Sequence, residues 1–227
     1  MTSVPLLQAG SLAPVCVTDT LADYDSLFGP ASESQCSIGI HNFSSFTFSA
    51  SGTGSPTLLS DSNIEVTPIF TGDPHALPQS LSLELSGNFS VATGQTATYV
   101  INWFYSIDNG PADDGASMGM DPSGAVTVTQ VFCPDGGVVG DCNNTQTTLQ
   151  DTTIPLHLFD SKVFTVANFA EVQTTIFLNG ANGSSSFANV TSTSDVINST
   201  APEPTTVLLG LGGVLSLAGL RKLARRS

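Results

Sequence analysis

The chain has 227 residues, of which 11 % are charged and 40 % hydrophobic, and its formal net charge is −14. That length suffices for one good-sized domain with a core, while so acidic a balance repels nucleic acid and anionic lipid surfaces. Scarce Lys and Glu beside abundant Gly, Ser and Thr favour strands and turns over exposed helices.

Residues 1–14, MTSVPLLQAGSLAP, hold no basic residue and no continuous apolar run, so they do not make a complete export signal. The small and apolar stretch Leu6–Pro14 reads as the end of such a signal, with the rest expected upstream of Met1. In DTLADYDSLF, Leu21, Tyr24, Leu27 and Phe28 fall at helical spacing, which predicts one short helix. It lies between Cys16 and Cys36. Cys133 and Cys142 form a second local pair, and neither pair has CxxC spacing or a histidine cluster nearby. Two local disulfides made in an oxidising compartment are expected, the alternative being four buried free thiols.

From residue 37 the pattern is strand after strand. Phe46 and Phe48 lie two apart and share a face. NIEVTPIF breaks at Pro68, as an edge strand does. LSLELSGNFSV alternates Leu81, Leu83 and Leu85 with polar residues, a half-buried strand. TATYVINWFYSI puts Tyr99, Ile101, Trp103, Tyr105 and Ile107 on one face and Val100 and Phe104 on the other, which predicts a central strand. Trp103, mid-strand among apolar residues, reads as core before it reads as a sugar-stacking platform. GAVTVTQVFC, KVFTVANF, VQTTIFLNG and SSSFANVTSTS continue the series at the intervals of a sandwich. The predicted fold is therefore all-β: an antiparallel β-sandwich, jelly-roll-like, over residues 15–192, followed by a polar linker at 193–201.

SIDNGPADDGASMGMD is dense in oxygen donors, with Asp108, Asp113 and Asp114 as candidate Ca²⁺ ligands. It matches no calcium-binding spacing, and a polar hairpin loop is the simpler reading. CPDGGVVGDC reads as a turn clamped at both ends by Cys133 and Cys142. No GxSxG, HExxH, P-loop or GxGxxG stands in a sensible context, so neither catalysis nor a cofactor is expected.

Residues 202–227 have three parts in order. Pro202, Glu203 and Pro204 keep the backbone extended. The uncharged run from Thr205 to Leu220 carries Val207, Leu208, Leu209, Leu211, Val214, Leu215 and Leu217 and predicts a C-terminal transmembrane helix. At 1.5 Å per residue that run reaches about 24 Å, short of the ~30 Å hydrocarbon core, so flanking cations must snorkel. Arg221, Lys222, Arg225 and Arg226 supply them and act as a stop-transfer signal with the body outside.

This tripartite tail closely resembles the PEP-CTERM sorting signal of Gram-negative bacteria. The resemblance implies that an exosortase, a membrane-embedded cysteine protease, reads the tail and cuts near Pro202–Pro204. It implies export, transient anchoring in the inner membrane, and release to the cell surface or an exopolysaccharide matrix. CVTDTLADYDSLF, then CSIGIHNFSSFTFSASGTG and IEVTPIF, is similar to the opening of a widespread group of PEP-CTERM proteins, with Ile40 where that group carries an acidic residue. This second likeness implies fold and location, and no activity.

Two readings follow: a non-enzymatic surface or matrix protein, or a carbohydrate-binding or calcium-stabilised module on the same tail. An exposed aromatic row or converging Asp carboxylates in a groove favours the second; a sandwich with every large aromatic buried favours the first.

Overall fold

The structure, a computed structural model, describes residues 13–32, 34–71, 79–107, 113–123, 125–134, 137–138, 141–142, 146–153, 156–157, 159–181 and 187–199. The chain opens with β1 (Asp19–Thr20), α1 (Leu21–Phe28), β2 (Cys36–Ile38) and β3 (His41–Thr53). Three further strands, β4 (Glu65–Thr71), β5 (Gln79–Ala92) and β6 (Thr96–Ile107), precede β7 (Asp113–Ser123) and β8 (Val126–Pro134). A small hairpin, β9 (Gly137–Val138) with β10 (Asp141–Cys142), leads to β11 (Thr147–Thr153) and β12 (Leu156–His157). The last three strands are β13 (Phe159–Ala167), β14 (Phe169–Asn179) and β15 (Phe187–Ser199).

Two antiparallel sheets carry the fold. One runs β1-β4-β5-β15-β7-β13, the other β12-β11-β8-β14-β6-β3-β2. Eight strands nest in pairs: β5 beside β15, β6 beside β14, β7 beside β13 and β8 beside β11. Pairs alternate between sheets, which is the winding of a jelly roll. The expected sandwich is therefore present, with β6 between β14 and β3 as a central strand. Pro68 falls on β4 beyond the two residues that pair with β1, where a missing N–H costs no ladder bond on that side.

The inner faces pack through aromatic side chains. Phe89 of β5 meets Tyr99 of β6 edge-on at 5.0 Å, joining the two sheets. Trp103 is 1 % exposed and stacks on Phe46 at 6.5 Å, so its ring belongs to the core. Tyr24 of α1 meets Phe46 at 4.9 Å and donates its hydroxyl to the Val17 carbonyl at 2.8 Å. Burial, and secondarily the charge of Asp19, pushes the Tyr24 hydroxyl pKa up to about 12.

Helix α1 is set by its ends. Thr20 Oγ1 accepts from the Asp23 backbone N–H at 3.2 Å and donates to the Asp23 carboxylate at 2.5 Å, a reciprocal N-terminal cap. That hydroxyl, with help from the Asp19 side chain, holds the Asp23 pKa below the usual carboxylate value. At the other end Gly29 donates its N–H to the Asp25 carbonyl, and a Cβ there would meet that oxygen at 2.1 Å. Only glycine fits so close to the helix end.

In β3 a bulge between Ser44 and Thr47 shifts the register against β6. Phe43 lies opposite Tyr105 and Phe48 opposite Ile101, five residues apart on one strand and four on the other. The extra residue lets Phe43, Phe46 and Phe48 all face inward, where strict alternation allows only two of them.

Two expectations are corrected. The stretch from 193, read as a polar linker, is strand through Ser199, and β15 pairs with β5 on one side and β7 on the other. Its Ser and Thr residues do not prevent this, because a strand between two neighbours satisfies its backbone groups on both edges. The acidic stretch read as a hairpin loop is β7 from Asp113 onward, paired with β13 and β15. Tertiary pairing overrides the poor strand propensity of its Gly and Asp residues. The N-terminal remnant up to Leu12 and the whole of 202–227, including the expected membrane helix, lie outside the described residues. Among the described residues, no helix is long and apolar enough to cross a membrane.

Candidate functional site

The seven-stranded sheet turns one face to the core and one outward, and alternation in β6 and β14 decides which residues point where. Tyr99, Ile101, Trp103 and Tyr105 of β6 and Ala170, Val172, Ile176 and Leu178 of β14 are buried. Asn102 and Phe104 therefore point outward, in register with Gln173 and Glu171. Phe169, one pleat along β14, is 36 % exposed.

These side chains line or flank a surface hollow of about 230 Å³, bounded by Ser45, Asn102, Trp103, Phe104 and Glu171. Trp103 contributes to the wall while its ring lies in the core. The bulge in β3 supplies the opposite lip. Ser45 sits at φ 58°, a left-handed conformation that non-glycine residues rarely adopt. Bulges recur beside binding sites because they re-aim a side chain and interrupt pairing.

The floor is held by a relay of amides. Gln173 Nε2 donates to Asn102 Oδ1 at 2.8 Å, and Asn102 Nδ2 donates to Thr47 Oγ1 at 2.9 Å. The relay ties β14, β6 and β3 together across the face and fixes both amides. Phe104 and Phe169 form an aromatic pair with ring centroids 5.8 Å apart and planes tilted by 37°. Phe177, also 36 % exposed, is a third outward ring farther along β14.

On the far side of Glu171 stands Cys133 of β8, directly opposite it in register. Cys133 shares the outward face, yet it is fully buried and bonded to Cys142 of the β9–β10 hairpin. The expected Cys133–Cys142 disulfide is thus present, with the paired strands β9 and β10 between its ends. Cys16 and Cys36 form the other disulfide, and no free cysteine remains among the described residues. Two disulfides suit an oxidising extracellular or periplasmic environment.

The Ca²⁺ candidates fare differently. Asp108 lies outside the described residues, while Asp113 and Asp114 open β7, where Asp113 pairs with Ala167. Among the described residues no group of three or more His, Cys, Asp or Glu could hold a metal ion. Pro202, Glu203, Pro204 and the basic cluster ending at Arg226 lie outside the described residues.

Sequence reasoning placed Phe104 on the second face of its strand but did not identify the site. Phe169, Glu171, Gln173 and Ser45 went unremarked. Alternation along each strand assigns them a face, but only the β6–β14 register makes them neighbours.

No family model matches the chain, and no curated protein matches it. Solved structures give distant alignments. TmCBM61, solved with β-1,4-galactotriose, aligns over 68 % of this chain and 88 % of its own, at 8 % identity and TM-score 0.33. A family 11 carbohydrate-binding module from Clostridium thermocellum, in complex with a mixed-linked tetrasaccharide, covers 68 % and 89 % at 9 % identity and TM-score 0.20. The enzymatically active domain of bacteriophage CBA120 tailspike protein 4 covers 69 % of this chain and 19 % of its own, at 19 % identity and TM-score 0.31. TM-scores of this size do not establish a common fold, and no ligand follows from them.

Proposed function

We propose that this chain is an exported carbohydrate-binding module that acts at the cell surface or in an exopolysaccharide matrix. The observation that carries the reading is the outward hollow, where the Phe104–Phe169 pair stands beside Glu171 and a fixed amide relay. Sugar rings offer apolar C–H faces and a rim of hydroxyls. A site for them needs exposed aromatic surface together with oriented hydrogen-bonding groups, and such polar groups are few and well placed in ligand sites generally. A sandwich whose large aromatics were all buried would lack the first requirement. Affinity electrophoresis of the chain through gels carrying different soluble polysaccharides tests the reading. Retardation by at least one polysaccharide, lost in Phe104→Ala, is the expected result; unchanged migration through every gel refutes it.

Delivery is the second part of the proposal. Residues 202–227 act as a PEP-CTERM sorting tail: Pro202, Glu203 and Pro204 form the motif, Thr205 to Leu220 the membrane helix, and Arg221 to Arg226 the inner basic end. An exosortase would cut near the motif and free the sandwich. Support comes from the order and chemistry of the three parts and from the two disulfides, which suit a chain that folds after export. In a host carrying an exosortase, replacing Pro202–Glu203–Pro204 by alanines should leave full-length chain in the inner-membrane fraction. Release of the variant at its normal mass would overturn the sorting reading.

A further inference from the structure

We propose that the outward face of the seven-stranded sheet, beyond the hollow, is an adhesion surface for packed chains of neutral polysaccharide. This rests on the carbohydrate-binding reading above and names its substrate class: an insoluble, uncharged polymer whose chains lie side by side.

Register builds the face in ranks. Thr127 of β8, Phe177 of β14 and Thr98 of β6 stand side by side in one rank. Thr129, Thr175 and Val100 form the next, and all six side chains are at least partly exposed. A third rank passes through the relay amides Gln173 and Asn102 and so adjoins the hollow. Each rank ends on a serine or threonine of β3. With strands about 4.8 Å apart and same-face residues about 6.7 Å apart, the three ranks cover a patch about 14 Å on a side. β6 and β14 are each paired on both edges, which holds the ranks rigid and leaves little to order on binding.

Charge selects the partner. None of the positions in these ranks carries an ionisable side chain. Residues 1–200 nonetheless hold 18 Asp and Glu against Lys162 as the one Lys or Arg. Polyanions are repelled by such a body, and polycations find no carboxylate in the ranks. A second copy of the chain brings the same acidic body, so pairing face to face meets a repulsion that a neutral polymer does not.

The side chains suit sugars. Threonine sets a methyl group beside a hydroxyl, as a sugar sets C–H faces beside hydroxyl edges, and a hydroxyl both donates and accepts. Phe177, 36 % exposed, adds ring surface within its rank. Each hydroxyl–sugar bond gives little net stabilisation, because both partners give up water. Holding power therefore grows with the number of contacts made at once. A single dissolved chain crosses the patch along one line, whereas chains packed in a solid cover all of it.

The test is sedimentation of the full chain with microcrystalline cellulose, curdlan and insoluble mannan, with a calcium pectate gel as an acidic solid. The wild type should partition onto at least one neutral solid and not onto pectate. Thr175→Lys, which sets a charge in the middle of the patch, should lower that partition at least about tenfold. Thr98→Val/Thr129→Val keeps the shape, removes two hydroxyls and should lower it at least about threefold. Circular dichroism and urea melts establish that each variant is folded, and the valine pair carries the test if the lysine variant is not. Partition onto no neutral solid, equal partition onto pectate, or partition that the folded variants leave unchanged overturns the inference. Tighter adhesion by the valine pair overturns it too, since the contact would then be unspecific and apolar. So does a wild-type dimer in sedimentation velocity that Thr175→Lys disperses, since the face would then join two copies. Any of these results beside retardation by soluble polysaccharide removes this inference and leaves the carbohydrate-binding function standing; binding of no glycan in either form removes both.

Discussion

Cys133 and Glu171 face each other across neighbouring strands, so the disulfide that closes the β9–β10 hairpin stands beside a residue that lines the hollow. Its loop is short, with a sequence separation of 9, and the chain-entropy argument gives about 2.5 kcal/mol of stabilisation. The double variant Cys133→Ser/Cys142→Ser should lose about that much in urea unfolding. It should also lose affinity for polysaccharide under conditions where it is fully folded. Unchanged affinity in the folded variant would show that the hairpin takes no part in the site.

Phe104 and Phe169 lie outside the core, and their substitution should separate binding from stability. Phe104→Ala and Phe169→Ala should each weaken glycan binding by about tenfold while costing no more than about 1 kcal/mol in unfolding. Phe46→Ala, within the core beside Trp103 and Tyr24, should cost about 3–5 kcal/mol. Paired glycan titrations and urea melts of the three variants distinguish the two kinds of phenylalanine.

Ser45 holds a left-handed backbone at the lip of the hollow. Ser45→Gly should raise stability by up to about 1 kcal/mol, and Ser45→Val should lower it by at least as much, because a β-branched residue resists positive φ. Equilibrium unfolding of both variants checks the sign of each change.

Tyr24 sets an upper pH limit. Its pKa rises from 10.0 to about 12 on folding, so the folded state favours the protonated hydroxyl. The associated stability is fully present below pH 10 and is lost as pH rises toward about 12. Unfolding midpoints measured across that window should fall for the wild type and fall less for Tyr24→Phe.

Much of the fold can be read directly from alternation. LSLELSGNFSV and TATYVINWFYSI announce β5 and β6 because one face of each is apolar, and Leu21 with Tyr24 announces α1 for the corresponding helical reason. The stretches read as loop and linker, which form β7 and the second half of β15, are rich in Gly, Asp, Ser and Thr, and their strand state depends on partners distant in sequence. The hollow was hidden for a related reason. Phe104, Phe169 and Glu171 are ordinary outward residues on two strands more than sixty positions apart, and nothing local says that β14 docks on β6 in that register.

The position of β15 bears on the order of events during synthesis and folding, and on the export proposed above. It is the final described strand, yet it occupies the interior of its sheet, with Gln79 paired to Ser199 at the far end of the ladder. Until that last strand has emerged, β5 and β7 have no bridge between them and the second layer exists only as two open halves. Such long-range closure is slow, so a cell that threads this polypeptide through a pore has an interval in which the halves are held apart. A proteolytic scission that spares Ser199 leaves the closed article intact, whereas one a few positions earlier would strip out its keystone.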